Sequence, residues 1–87
     1  MKKEFKVIAD LLHKNIRVLD VGCGDGSLMS LLIKEKNIDA RGLELEKENI
    51  KKCIYNGLPV IEGNAETELH QFPDQSFDFV ILSQTLQ

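Results

Sequence analysis

Arg17-Val18-Leu19-Asp20-Val21-Gly22-Cys23-Gly24-Asp25-Gly26-Ser27 is an apolar strand pattern that runs into glycines at alternate positions and then into a helical pattern. Glycine has no side chain and tolerates positive φ, so Gly22, Gly24 and Gly26 permit a sharp bend and a close backbone approach to a ligand. The helix that follows aims free N–H groups at the same place. A nucleotide-like ligand is therefore expected, the alternative being a tight strand-to-helix turn that binds nothing. A dinucleotide fingerprint, G-x-G-x-x-G, needs its third glycine at position 27, where Ser27 stands. The spacing here is G-x-G-x-G, so an NAD-type oxidoreductase ranks a distant third among the readings below.

Working outward, Asp39-Ala40-Arg41-Gly42-Leu43-Glu44-Leu45-Glu46 alternates as a second strand and ends on Glu44, 22 positions after Gly22. A carboxylate at the end of the second strand, about 20 residues past the loop, can accept both hydrogens of a ribose diol. Glu44 is the candidate ribose ligand, set against the possibility of a solvated strand end. Glu46 is read as that solvated case, opening the next helix.

The rest of the chain alternates between helix and strand. Phe5, Ile8, Leu11 and Leu12 share a helical face, predicting an amphipathic helix over 3–14. The first strand is expected at 17–21, and a helix over 27–36 buries Leu28, Leu31, Leu32 and Met29 before Asn37 closes it. The second strand covers 39–45. A helix over 48–56 points Ile50 and Ile54 inward and stops at Gly57. The third strand, 58–62, begins with Pro59 near its start and so suits a sheet edge. A turn at 63–66 and a short helix or loop at 66–72 lead to a fourth strand over 77–82, whose apolar run implies burial on both faces. Right-handed crossovers place strands one to three toward one edge and return the fourth to the other side of strand one. The expected fold is α/β, a Rossmann-like three-layer sandwich with a parallel sheet of order 3-2-1-4. Its switch point lies where the glycine turn and Glu44 meet.

Composition limits the function classes. The 87 residues allow one domain, and 43% hydrophobic with 29% charged residues is ordinary for a globular chain. A net charge of −3 gives no electrostatic reason to expect nucleic acid. Lys2 and Lys3 precede apolar residues interrupted by Asp10, His13 and Lys14, a pattern of neither signal peptide nor membrane span. A cytoplasmic protein is expected. Cys23 and Cys53 lack metal-ligand spacing, so no metal is expected, and Cys23 is read as a small residue filling a crowded loop rather than a thiol acidified by a helix N-terminus. No general base stands out, since His13 and His70 are isolated and read as surface positions.

Asp20 with the G-x-G-x-G turn resembles motif I of the class I S-adenosylmethionine-dependent methyltransferases. Phe72-Pro73-Asp74-Gln75-Ser76-Phe77-Asp78 resembles the segment that introduces their fourth strand, where Asp78 would be a structural group. Ile81-Leu82-Ser83-Gln84-Thr85-Leu86-Gln87, with the glycine turn and Gly42-Leu43-Glu44-Leu45-Glu46, is similar to the methionine biosynthesis protein MetW family over about residues 16–87. That resemblance implies S-adenosylmethionine as cofactor, held by Asp20, Gly22, Cys23, Gly24, Gly26, Glu44, Leu45, Asn64, Ala65 and Ser83. Asn64 would meet the adenine amino group through its oxygen, where many relatives carry Asp, and the Ala65 N–H would face a ring nitrogen; an ordinary Asn turn is the alternative.

The resemblance also implies an association with the homoserine O-acyltransferase of methionine biosynthesis. Two functions follow: a cofactor-binding subunit supporting that acyltransferase, or a small-molecule methyltransferase. Ser83-Gln84-Thr85-Leu86 stands where amide and nucleobase N-methyltransferases carry Asp/Asn-Pro-Pro-Tyr, which argues against those substrates. Glu46-Lys47 replaces an expected Asp-Pro. Family members continue beyond the fourth strand, so residues 1–87 are expected to form the cofactor-binding part of a truncated class I methyltransferase domain. Its exposed sheet edge would be covered by further chain or by a second copy in a homodimer.

Overall fold

The computed structural model describes residues 3–83 of the chain. The segments assigned to 1–2 and 84–87, including the last four residues of the MetW-like ending, lie outside the described residues. Helix α1 (Lys3–Leu11) precedes β1 (Arg17–Val21), α2 (Ser27–Lys36), β2 (Asp39–Glu44), α3 (Lys47–Tyr55) and β3 (Val60–Glu62). A short α4 (Ala65–Glu68), a 3-10 turn (Leu69–Gln71) and β4 (Phe79–Leu82) complete the order. The four strands are parallel in the order β3-β2-β1-β4, as right-handed crossovers require.

Period-two alternation sends Val18 of β1 and Ala40 of β2 toward the helices, where they join Leu28, Met29, Leu31 and Leu32 of α2 in one buried cluster. Asp20 and Gly42 are cross-strand partners in register on the same face, so the smallest residue lies beside the buried acid. Asn37 closes α2 in the left-handed conformation, with φ 50° and its N–H on the Leu32 carbonyl. Gly57 turns the chain out of α3 with φ 71°. Pro59 precedes the edge strand β3 and spends its carbonyl on the Gly42 N–H at 2.9 Å, so its missing donor is not needed there.

Three packing expectations are corrected. On α1, Leu11 is exposed, and Ala9 takes its place in the core with Leu12, because the helix ends at Leu11 and its buried face is narrower than the apolar one. On α3, Ile54 is 65% exposed and Cys53 is fully buried. The helix turns its small thiol, not its larger aliphatic, toward the glycine turn. The third correction is β4, which is not buried on both faces: Phe79, Val80 and Leu82 are each about half exposed on the open edge beyond β1. The start of β4 is held to β1 by a reciprocal clasp. The Arg17 N–H donates to Asp78 Oδ2 at 2.8 Å, the Asp78 N–H donates to the Arg17 carbonyl at 2.8 Å, and the guanidinium adds a contact at 3.3 Å.

Candidate cofactor site

The turn after β1 follows from its glycines. Gly22, Gly24 and Gly26 have φ of 73°, 61° and 88°, a region costly for other residues. Gly26 is constrained twice over, because a Cβ there would lie 2.4 Å from Leu58 Cδ1 and 3.1 Å from Cys53 Sγ. A side chain at Gly42 would meet Cys23 Sγ at 2.6 Å and Met29 Cε at 2.9 Å. The turn is thus wedged between the end of β2, α2 and the approach to β3. The N–H groups of Gly22 and Cys23 both donate to the Leu43 carbonyl, at 2.8 and 3.1 Å. The Asp25 carboxylate accepts the Ser27 N–H at 3.0 Å and the Ser27 hydroxyl at 2.6 Å, which organises the first turn of α2.

Glu44 is 3% exposed, which excludes a solvated strand end. Its Oε1 accepts the Gly24 N–H at 2.8 Å and its Oε2 accepts the Glu46 N–H at 3.0 Å. One carboxylate therefore ties the glycine turn to the C-terminal end of β2. A carboxylate offers about four acceptor positions, so two remain, the number a vicinal diol fills. Glu46 is exposed and precedes α3 as its N-cap. Leu45 between them is 59% exposed, an apolar surface beside the buried acid.

Asp20 is wholly buried. The Ser83 hydroxyl, one residue past β4, donates to Asp20 Oδ1, while Oδ2 has no hydrogen-bond partner among the described residues. Burial pushes the carboxyl up to about 6, with Ser83 pulling it down and the Glu44 charge adding to the rise. Two carboxylates from adjacent strands thus share a poorly hydrated corner, a setting that favours a cationic ligand.

The thiols of Cys53 and Cys23 both point at the Gly24 carbonyl, at 3.4 and 3.8 Å. Burial pushes both thiols up from their ordinary range, as expected for packing residues and not for nucleophiles. Asn64 caps α4: its Oδ1 accepts the Thr67 N–H at 2.9 Å and the Thr67 hydroxyl at 3.1 Å. The amide oxygen assigned to adenine is thus engaged in a local cap, and Ala65 begins the helix. His13 and His70 are exposed. Among the described residues no cluster of His, Cys, Asp and Glu is able to hold a metal ion, and no helix is long and apolar enough to cross a membrane.

The structure brings Asp20, the glycine turn, Glu44 and Ser83 together across three strand ends. Gly42 and Cys53 were missed as supports of the turn. An isolated glycine inside a strand pattern signals close backbone approach and could have flagged the first, whereas nothing in the spacing of α3 marks Cys53.

The sequence profile of the methionine biosynthesis protein MetW family matches residues 2–87. The chain belongs to the MetW family. It is 31% identical over an 88-residue alignment to the bifunctional methionine biosynthesis protein MetXA/MetW of Rhodopirellula baltica, covering 92% of this chain and 14% of that one. It is 30% identical over 83 residues to the mitochondrial arginine-hydroxylase NDUFAF5 of Rattus norvegicus, covering 91% and 24%. Among solved structures, an S-adenosylmethionine-dependent methyltransferase from Archaeoglobus fulgidus superposes with a TM-score of 0.75 at 30% identity, over 88% of this chain and 34% of that one. TrmK of M. capricolum, solved with S-adenosylhomocysteine, gives 0.75 at 18% identity over 99% and 44%, a likeness of fold. This MetW-family chain therefore has the Rossmann-like fold of class I methyltransferases and spans less than half the length of each of these relatives.

Proposed function

We propose that this MetW-family protein binds S-adenosylmethionine at the glycine turn and supports the homoserine O-acyltransferase of methionine biosynthesis. The observation that carries the cofactor reading is the buried Glu44 carboxylate, tied by the Gly24 N–H to the turn and retaining acceptor capacity for the two ribose hydroxyls. Leu45 offers an apolar surface for the adenine, with the N–H of Ala65, the first residue of α4, at the ring's edge; the Asn64 oxygen stays with its Thr67 cap. Gly22, Cys23, Gly24 and Gly26 let the backbone approach the methionine and ribose portions. Asp20 faces the cationic end of the ligand. Solved neighbours that hold S-adenosylhomocysteine on this fold support the same ligand.

The acyltransferase partnership rests on the family and on the bifunctional MetXA/MetW relative. Calorimetry with S-adenosylmethionine tests the cofactor, and co-purification with homoserine O-acyltransferase tests the partner. A small-molecule methyltransferase is the second reading, favoured by the 30% identity to the Archaeoglobus fulgidus enzyme; radiolabelled methyl appearing on a metabolite would select it. Both suppose a cytoplasmic setting in which the two thiols stay reduced. Residues 1–87 are read as the cofactor-binding part of a methyltransferase-like domain, because Phe79, Val80 and Leu82 leave an apolar edge on β4 that a further strand or a second copy would cover. A dilute monomer with two-state unfolding would count against that last reading.

A further inference from the structure

We propose that Ser83 is a positioning residue of the cofactor site, whose hydroxyl fixes one oxygen of Asp20 and thereby reserves the other for a cationic ligand. The inference rests on the cofactor reading above and deepens it. Asp20 is fully buried, and its Oδ1 takes the Ser83 hydroxyl while Oδ2 is unpartnered among the described residues. An unsatisfied buried carboxylate oxygen is costly, and such a group in a native fold calls for an explanation.

The surroundings show why Ser83 matters. The charged and titratable groups that act on Asp20 or feel its charge are Glu44 at the end of β2, Cys23 in the glycine turn and Cys53 on α3. Glu44 opposes its charge, and the two thiols point at the Gly24 carbonyl instead. Ser83 alone among these neighbours donates to the Asp20 side chain. It stands one residue beyond β4, the strand that returns to the far side of β1, so the contact spans the switch point of the sheet. With that donor in place, one oxygen is satisfied from the protein and the second is left for a group that brings both positive charge and N–H donors. The ammonium of an α-amino acid, as at the methionine end of S-adenosylmethionine, has that chemistry.

The Ser83 hydrogen bond also favours the ionised carboxylate against burial. Losing it should weaken cation binding and move the pH at which binding falls away to higher values.

The test is calorimetry with S-adenosylmethionine from pH 5 to 8 on the full protein, comparing wild type, Ser83→Ala and Ser83→Thr. Ser83→Ala is expected to lose on the order of tenfold in affinity at pH 7.5, the usual effect of removing a hydrogen bond to a charged group, with the acid limb of the binding profile moved upward. Ser83→Thr, which keeps the hydroxyl, restores both. A parallel NMR titration of the Asp20 carboxyl without ligand should show its midpoint rising in Ser83→Ala. If wild type binds and Ser83→Ala binds with the same affinity and pH profile, the inference is overturned and the cofactor reading stands. If wild type binds at no pH, the cofactor reading falls. In that case an Asp20 midpoint unchanged by Ser83→Ala overturns the positioning role independently.

Discussion

Replacing Asp20 by asparagine should make the unliganded protein more stable at neutral pH while weakening its hold on the ligand. Asparagine keeps the shape of the side chain and an oxygen for the Ser83 hydroxyl, and it removes a charge that is wholly buried and faces Glu44. Folding carries the carboxyl from its ordinary value of 3.8 to about 6. At roughly 1.36 kcal/mol for each pH unit, that is a penalty of about 3 kcal/mol on the ionised folded state. The sign follows from proton counting. Between about pH 4 and 6 the folded protein retains a proton that the unfolded chain has released, so wild-type stability falls as pH rises through this window and levels off above it. The stability difference between Asp20→Asn and wild type should therefore grow by up to about 3 kcal/mol from pH 4 to pH 7. Any fixed cost of burying the new amide does not change with pH and leaves this growth intact. Urea denaturation at several pH values measures it directly. A difference that stays flat from pH 4 to 7 would refute the claim that Asp20 is held at an elevated pKa by burial. The same variant should bind S-adenosylmethionine more weakly, a cost in stability borne for function.

Gly26→Ala forces a Cβ to within 2.4 Å of Leu58 at a left-handed backbone position, and overpacking with strain of this kind should destabilise by about 1–3 kcal/mol in a denaturant melt. Gly42→Ala, which presses on Cys23 and Met29 instead of straining its own backbone, should displace the turn and reduce ligand affinity more than stability, read by calorimetry beside a thermal melt. Asp78→Asn should loosen the start of β4, because the Arg17 N–H and guanidinium hold its carboxyl below the usual range. The stabilisation from that depressed carboxyl is present above the unfolded value and lost as pH falls through the folded one, so the variant should be less stable than wild type at neutral pH and converge with it in acid.

The parts of the fold set by local chemistry were legible from residues. Alternate glycines after Val18-Leu19-Asp20-Val21 predicted the turn; β1 ends at Val21, just before Gly22, and α2 begins and ends where its pattern does because Gly26 and Asn37 adopt the left-handed backbone those residue types allow. The order 3-2-1-4 followed from crossover handedness once four strands were placed. What the pattern could not give was which apolar residues face inward when a helix is short. Leu11 and Ile54 are larger than Ala9 and Cys53, yet close packing against α2 and the glycine turn selects the smaller pair. The apolar run of β4 read as a doubly covered strand because hydropathy reports what a strand can bury, not what lies beside it. At the site, Glu44 was legible as a candidate from spacing alone, but its grip on Gly24 and Glu46, the Asn64 cap on Thr67 and the Ser83 bond to Asp20 are contacts between elements or across a turn that no single-strand pattern encodes.

The measurement that tests the central claim most directly is the heat of S-adenosylmethionine binding to the wild-type protein and to Glu44→Ala, each first shown to be folded by its thermal transition. The account predicts saturable binding by wild type and its loss in the variant, since the carboxylate that ties the turn, and that is proposed to meet the ribose, is gone. Binding of equal strength in both proteins would contradict it.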